Sequence, residues 1–295
     1  MKILVLGGDG MLGHQLLLNL QKRHHARATL RQDKTVYEKY RLFDEANSYF
    51  GVDVRGDDYL EGVLSHFKPD AVINAVGVIK QRQMANDAIP NIEINALFPH
   101  RLAILCKKIG ARMIHFSTDC VFSGKKGKYT ENDLSDAYDF YGKSKYLGEV
   151  HEPHCLTLRS SVIGLELAHK ASLIEWFLAR HGVVKGFRQA IYTGLTTQEM
   201  SRVIELVLVK HPTLSGVLHV SSSAISKYDL LMYFSELLHL KEIQIEPDDQ
   251  FVCDRSLQSD VFCGITGYKA PTWASMLSEL ADQVKERERM TECAV

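Results

Sequence analysis

No apolar run in the 295-residue sequence approaches the ~18 residues that span a bilayer. The opening Lys2-Ile3-Leu4-Val5-Leu6 gives way to glycine instead of continuing into a secretory core. Both absences point to a cytoplasmic protein with no membrane partner. Excess charge is missing too, since 35 basic residues stand against 36 acidic ones, a formal net charge of -1. A surface built to coat nucleic acid is therefore not expected, and an anionic ligand must be met locally. The six cysteines (Cys106, Cys120, Cys155, Cys253, Cys263 and Cys293) show no Cys-x-x-Cys spacing, so free thiols are expected. His24-His25 and His151-Glu152-Pro153-His154 lack a third and fourth ligand, which argues against a metal. No linker rich in Gly, Ser or Pro and no internal repeat divides the chain.

What is present is an alternation of apolar strands and amphipathic helices. Lys2–Leu6 reads as a strand, and Met11, Leu12, Leu16 and Leu20 follow on a helical period. Ala26 to Arg31 reads as a second strand, with Asp53 placed to close a further one. Asp57 to Phe67 reads as a helix with Leu60, Val63, Leu64 and Phe67 on one face, and Ala71 to Ala75 as a buried strand. Asn91 to about Ile109 reads as a long helix kinked by Pro99, and Met113 to Phe116 as a strand. Without hairpin signals, this order predicts a doubly wound α/β fold, a parallel sheet covered on both faces.

The second half is more mixed. It has helices at Leu173 to Arg180, Thr197 to Val209, Ser226 to Leu238 and after Pro271-Thr272, and a strand at Val217 to Val220. A smaller substrate domain, about 161–186 plus 221–295, is expected to interleave with a dinucleotide-binding domain of 1–160 plus about 187–220. Arg287 to Val295 lose apolar periodicity and are expected to fray.

Gly7, Gly10 and Gly13 fall between the first strand and helix, where glycines allow a sharp turn, approach of backbone to a pyrophosphate, and close packing of helix on sheet. The run Gly8-Asp9-Gly10-Met11-Leu12-Gly13 also fits the related Gly-x-Gly-x-x-Gly pattern. The end of the second strand discriminates between cofactors. There Arg31 suits the 2′-phosphate of NADP, while Asp33 is a rival that would suit the ribose of NAD. Asp53 reads either as a partner for an adenine amine or as a helix cap or turn residue.

Tyr141 and Lys145 are spaced i and i+4, on one face of a helix. A phenol is a poor proton donor at neutral pH, and a nearby cation brings it into useful range. Phe116-Ser117-Thr118-Asp119 ends a strand at the carboxyl edge of the sheet, so Thr118 or Ser117 supplies a hydroxyl to the same carbonyl.

The glycine fingerprint, the strand-end hydroxyl and the tyrosine-lysine pair, in that order, resemble the extended short-chain dehydrogenase/reductase family, with its Rossmann-type fold. The stretches Ser117-Thr118-Asp119-Cys120-Val121-Phe122-Ser123-Gly124, Tyr129-Thr130-Glu131 and Tyr141 to Glu149 narrow the resemblance to dTDP-4-dehydrorhamnose reductases and their relatives. Asn74 to Gly77, Leu158 to Ser161 and Arg255-Ser256-Leu257 extend it over nearly the whole chain. The resemblance implies that Thr118 orients a sugar carbonyl and Tyr141 donates the proton. Lys145 would lower the phenol's pKa and hold the nicotinamide ribose. Gly7, Asp9, Gly10, Met11, Leu12 and Gly13 would cradle the pyrophosphate, Asp53 and Val54 would flank the adenine, and Ala75, Val76 and Gly77 would line the ribose.

The implied activity is an NADPH-dependent reduction of a nucleotide-linked 4-keto-6-deoxy sugar for a polysaccharide or glycosylated metabolite, with NAD as the other cofactor to be tested. Two alternatives stand beside it: a sugar-nucleotide epimerase, and a non-catalytic cofactor-binding subunit like the β subunit of methionine adenosyltransferase. A homodimer is a further expectation of the resemblance. Cys120 stands where these reductases commonly have tyrosine and the related dehydratases glutamate, which disfavours elimination chemistry. Val162 replaces a frequent tryptophan, and Gly77 to Gln81 a more acidic loop. Lys80, Asp119, Cys120, Arg188 and Arg255 are candidates for substrate contacts, with Arg82 and Lys185 as further cations. Trp176 reads either as a base-stacking ring or as core.

Overall fold

The computed structural model describes residues 1–79, 87–168 and 170–292. Seven strands form one wholly parallel sheet: β1 (Lys2–Leu6), β2 (His25–Thr29), β3 (Ser48–Tyr49), β4 (Ala71–Asn74), β5 (Arg112–Phe116), β6 (Cys155–Arg159) and β7 (Gly216–His219). Their order across the sheet is β7-β6-β5-β4-β1-β2-β3. The chain reverses direction of travel between β1 and β4, and a crevice opens there beyond the carboxyl ends of the strands.

The pleat sorts the strand side chains into two layers. Ile3, Val5, Ile73 and Ile114 point into one core, shared with helices α1 (Met11–Leu20), α5 (Thr197–Lys210), α6 (Lys227–Leu238) and α7 (Trp273–Glu292). Leu4, Leu6, Val72 and Met113 point into the other, shared with α2 (Asp57–Phe67) and α3 (Phe98–Ile109). Fully burying each such side chain contributes about 1.5–3 kcal/mol, which explains why the central strands read as continuous apolar runs.

Shorter pairings follow β6. Residues 182–187 run parallel to 243–248, and Ala190–Tyr192 pairs with both Ile225–Ser226 and Cys253–Asp254. No helix among the described residues is long and apolar enough to cross a membrane.

Several expectations are corrected. The long helix starts at Ala88 and widens into π-helical turns over Asn91–Leu97, so the irregularity precedes Pro99 instead of being centred on it. Pro99 is the second residue of α3, directly after those π-helical turns. The last helix does not fray at Arg287 but runs to Glu292, and Arg287 makes an ion pair with the buried Glu175. The strand before Asp53 ends at Tyr49, which leaves Asp53 in a turn.

Candidate active site

The loop after β1 reverses through Gly7, whose φ of +77° lies in the left-handed region, and Gly10 caps α1 with no side-chain acceptor. No acidic residue sits in the first turn of α1, so its N–H groups and the helix dipole are left to an anion. Asp9, just before the cap, accepts a hydrogen bond from the Tyr37 hydroxyl at 3.0 Å. Asp9, Gly10, Met11 and Leu12 line a cavity of about 500 Å³ together with Ala75 and Gly77. Val76 joins Ala75 and Gly77 around an adjoining recess of about 140 Å³ that reaches Lys145. Gly7 and Gly13 shape the loop from beneath. These features fit a dinucleotide, with the pyrophosphate at the amino end of α1.

The same cavity is lined by Ser117, Thr118, Asp119, Cys120 and Tyr141. Thr118 follows β5, and Tyr141 and Lys145 lie on helix α4 (Phe140–Leu147), which Asp139 caps by accepting from the Gly142 N–H at 2.7 Å. The Thr118 hydroxyl lies close enough to the Tyr141 phenol to favour its ionised form. Thr118 Oγ1 also accepts from the Cys120 N–H at 3.1 Å and donates to Asp119 at 3.1 Å. Lys145 Nζ donates to the Phe116 carbonyl at 2.5 Å.

Burial dominates the electrostatics of both Tyr141 and Lys145. Burial raises the Tyr141 phenol above its ordinary value, the neighbouring Cys120 and Asp119 push the same way, and the nearby Thr118 hydroxyl opposes them. Burial lowers Lys145 to about 8, opposed by Glu149. Lys145 thus meets the strand carbonyl, and desolvation is the largest influence on the phenol. Burial likewise raises Asp119, with Arg255 opposing.

The other candidates separate by position. Arg255 lines the cavity, its Nε donating to the Phe122 carbonyl at 2.8 Å. Arg31 is exposed just beyond β2 and close enough to Asp53 to help hold its carboxyl below the usual range, after the hydrogen bonds from Arg55. Asp53 pairs with Arg55 at 2.6 Å, and Val54 is turned into the core beside Val52. Asp33, the rival to Arg31, caps a short helix by accepting from Thr35 at 3.1 Å.

Two substrate candidates are corrected, because neither lines the cavity. Trp176 packs against the core with Arg180 over its ring, since the helix Leu173–Leu178 directs Leu173 to the cavity instead. Arg188 is exposed and paired with Asp249. Lys185 is paired with Asp248. Lys80 and Arg82 lie outside the described residues.

Asn95 was missed by the sequence reading. Carried inward by the π-helical turns, it accepts from the Val78 N–H at 2.9 Å. Its Nδ2 donates to Val78 O at 3.1 Å, Asn91 Oδ1 at 3.1 Å and Ser144 Oγ at 3.3 Å. One amide thus ties the cofactor-side loop to the helix of Tyr141 and Lys145. The signal available in sequence was a polar residue inside an apolar helical stretch, which only the packing turns into a contact.

A glycine loop opening the first helix of a doubly wound sheet, with a Thr-Tyr-Lys group at its carboxyl edge, defines an extended short-chain dehydrogenase/reductase. The chain belongs to the family described as RmlD substrate binding domain, whose model matches residues 1–258. It is similar to the dTDP-4-dehydrorhamnose reductase of Aggregatibacter actinomycetemcomitans, 25% identical over 258 residues that make up 83% of this chain and 82% of the relative. A shorter stretch of 169 residues is 25% identical to the methionine adenosyltransferase 2 subunit beta of Danio rerio, covering 55% of this chain and 48% of that one. Among solved structures, the dTDP-4-dehydrorhamnose reductase of Bacillus anthracis str. Ames in complex with NADP has the same fold, with a TM-score of 0.77 at 20% identity over 96% of this chain and 99% of that one.

Proposed function

We propose that the chain is an NADPH-dependent reductase of a nucleotide-linked 4-keto-6-deoxy sugar, acting in the cytoplasm. The observation that carries this reading is that Thr118 and Tyr141 stand together in the wall of a cavity that also receives the amino end of α1. Gly10, Met11 and Leu12 would hold the pyrophosphate, Ala75 to Gly77 the adenosine side, and Arg31 the 2′-phosphate. When bound, the reduced nicotinamide supplies a hydride to the ketone carbon. Tyr141 Oη then gives its proton to the developing alkoxide, and Thr118 Oγ1 donates a second hydrogen bond to the same oxygen. Lys145, mostly protonated at neutral pH, supplies a fixed positive charge beside them. Arg255, Asp119 and Cys120 would meet the sugar nucleotide on the far side.

The division into a dinucleotide-binding part (1–160 plus about 187–220) and a substrate part (about 161–186 plus 221–295) belongs to the same proposal. It is supported by α5 packing on α1 and by β7 completing the large sheet.

The test is titration with NADPH and then NADH, followed by a panel of 4-keto sugar nucleotides with absorbance read at the nicotinamide band. Selective NADPH binding and stoichiometric oxidation with one panel member is the expected result. An epimerase would consume no net NADPH. The likeness to a methionine adenosyltransferase subunit favours a second reading, a cofactor-binding regulatory subunit. Tight association with a synthetase, and no turnover of any panel member, would select it.

A further inference from the structure

A buried polar constellation beneath the cavity has no part in the proton and hydride steps. Glu149, just past the end of α4, and Arg159, the last residue of β6, are each 4% exposed. Arg159 holds the carboxylate with two parallel bonds, Nε to Oε1 and Nη2 to Oε2, both 2.7 Å. Ser117 Oγ donates to the same Oε1 at 2.6 Å. The guanidinium lies over the Phe122 ring at 5.3 Å, and its Nη1 meets His219 Nε2 at 3.3 Å.

Such a pair is weak evidence for stability, because desolvating both ions offsets their attraction and apolar residues of similar volume often serve as well. Its position suggests another task. Lys145 bonds the carbonyl of Phe116, and Glu149 bonds the side chain of Ser117, the next residue. Cation and carboxylate, one from the last turn of α4 and one just past it, therefore hold consecutive residues of the strand end that carries Thr118.

We propose that Glu149, locked by Arg159 and Ser117, is a positioning residue that keeps Lys145 an ammonium against the Phe116 carbonyl. This rests on reading Thr118, Tyr141 and Lys145 as the reaction centre. The groups facing Lys145 are Tyr141 from α4, Glu149 from the segment just after it and His115 from β5. Burial first, and Lys145 second, hold His115 neutral, and its Nδ1 meets Asn74 Nδ2 at 3.1 Å. Glu149 is thus the group that opposes the desolvation of Lys145.

The test is the pH titration of the Lys145 side chain in protein carrying ¹³C at the lysine ε-carbon, with the resonance assigned by Lys145→Arg. In the wild type the midpoint is expected near 8. Glu149→Gln should lower it by about one pH unit or more, and Glu149→Asp should restore part of the difference. Because Glu149→Gln leaves a buried guanidinium unpaired, the double variant Glu149→Gln with Arg159→Met is measured beside it; it removes a positive charge as well, so a smaller lowering is expected. An unchanged midpoint in folded Glu149→Gln, or in the folded double variant should the single variant not fold, would overturn the proposal. The titration needs no substrate, so failure of the coupling is read separately from failure of the reductase reading, which would show as no NADPH oxidation.

Discussion

A β-carbon on Gly13 would stand 2.0 Å from the carbonyl oxygen of Gly7, so α1 lies on the end of β1 at a distance that only glycine permits. The obstacle is backbone, which cannot step aside as a flexible side chain would. Gly13→Ala is expected to lose about 1–3 kcal/mol of stability through overpacking and to weaken NADPH binding, because the loop must shift. Gly62→Ala, on the exposed face of α2 with nothing within 4 Å of a new β-carbon, is the control and should gain about 0.5–1 kcal/mol. Urea midpoints and fluorescence titration of both variants check the pair, and equal behaviour would remove the glycine argument.

Tyr141→Phe removes the proposed proton donor and leaves the ring. Turnover should fall by about 10²–10⁴-fold with NADPH affinity retained, since the phosphate-binding loop is untouched. In the wild type the raised phenol stays protonated through the neutral range, whereas Lys145 loses its charge as pH rises through about 8. The rate of NADPH oxidation should therefore be level on the acid side of that value and fall on the alkaline side. A rate that climbs with pH across the same range would contradict the assigned roles.

Arg31 is exposed beyond the end of β2, so its removal should leave stability unchanged. Arg31→Ala is expected to weaken NADPH about 10-fold, the loss of one charge-assisted bond to phosphate, with NADH affinity constant. Parallel titrations decide it. If both cofactors weaken together, Arg31 supports the loop and does not read the 2′-phosphate.

How far the sequence could be read follows from where each side chain's partners lie. The central strands were legible because burial on both faces leaves mostly apolar residues, as in Val72-Ile73. The glycine loop and Tyr141 with Lys145 were legible because their partners are close in sequence. Asn95, Glu149 and Arg159 were not, since their meaning arises from contacts between elements: Asn95 bonds Val78 and Ser144, and Arg159 bonds Glu149 from a neighbouring strand. Trp176 failed as a binding candidate for the same reason. Helical spacing places it on a face, and only the packing of its helix shows that the face meets the core.

The buried histidines set a final expectation. His14, His115 and His219 are all lowered from the ordinary 6.5, each chiefly by burial. Below that value the unfolded chain takes up protons on these rings and the folded chain resists, so the unfolded state binds more protons and stability falls as pH drops. Asp119, raised by burial, acts in the opposite sense at lower pH, which confines the clean window to the range just under 6.5. Urea midpoints should decline as pH falls from 7.5 to 5.5, about a unit either side of that value. They should decline less in His115→Gln, whose amide retains hydrogen-bonding groups without titrating. An equal decline in the variant would show that His115 is not among the groups driving the loss.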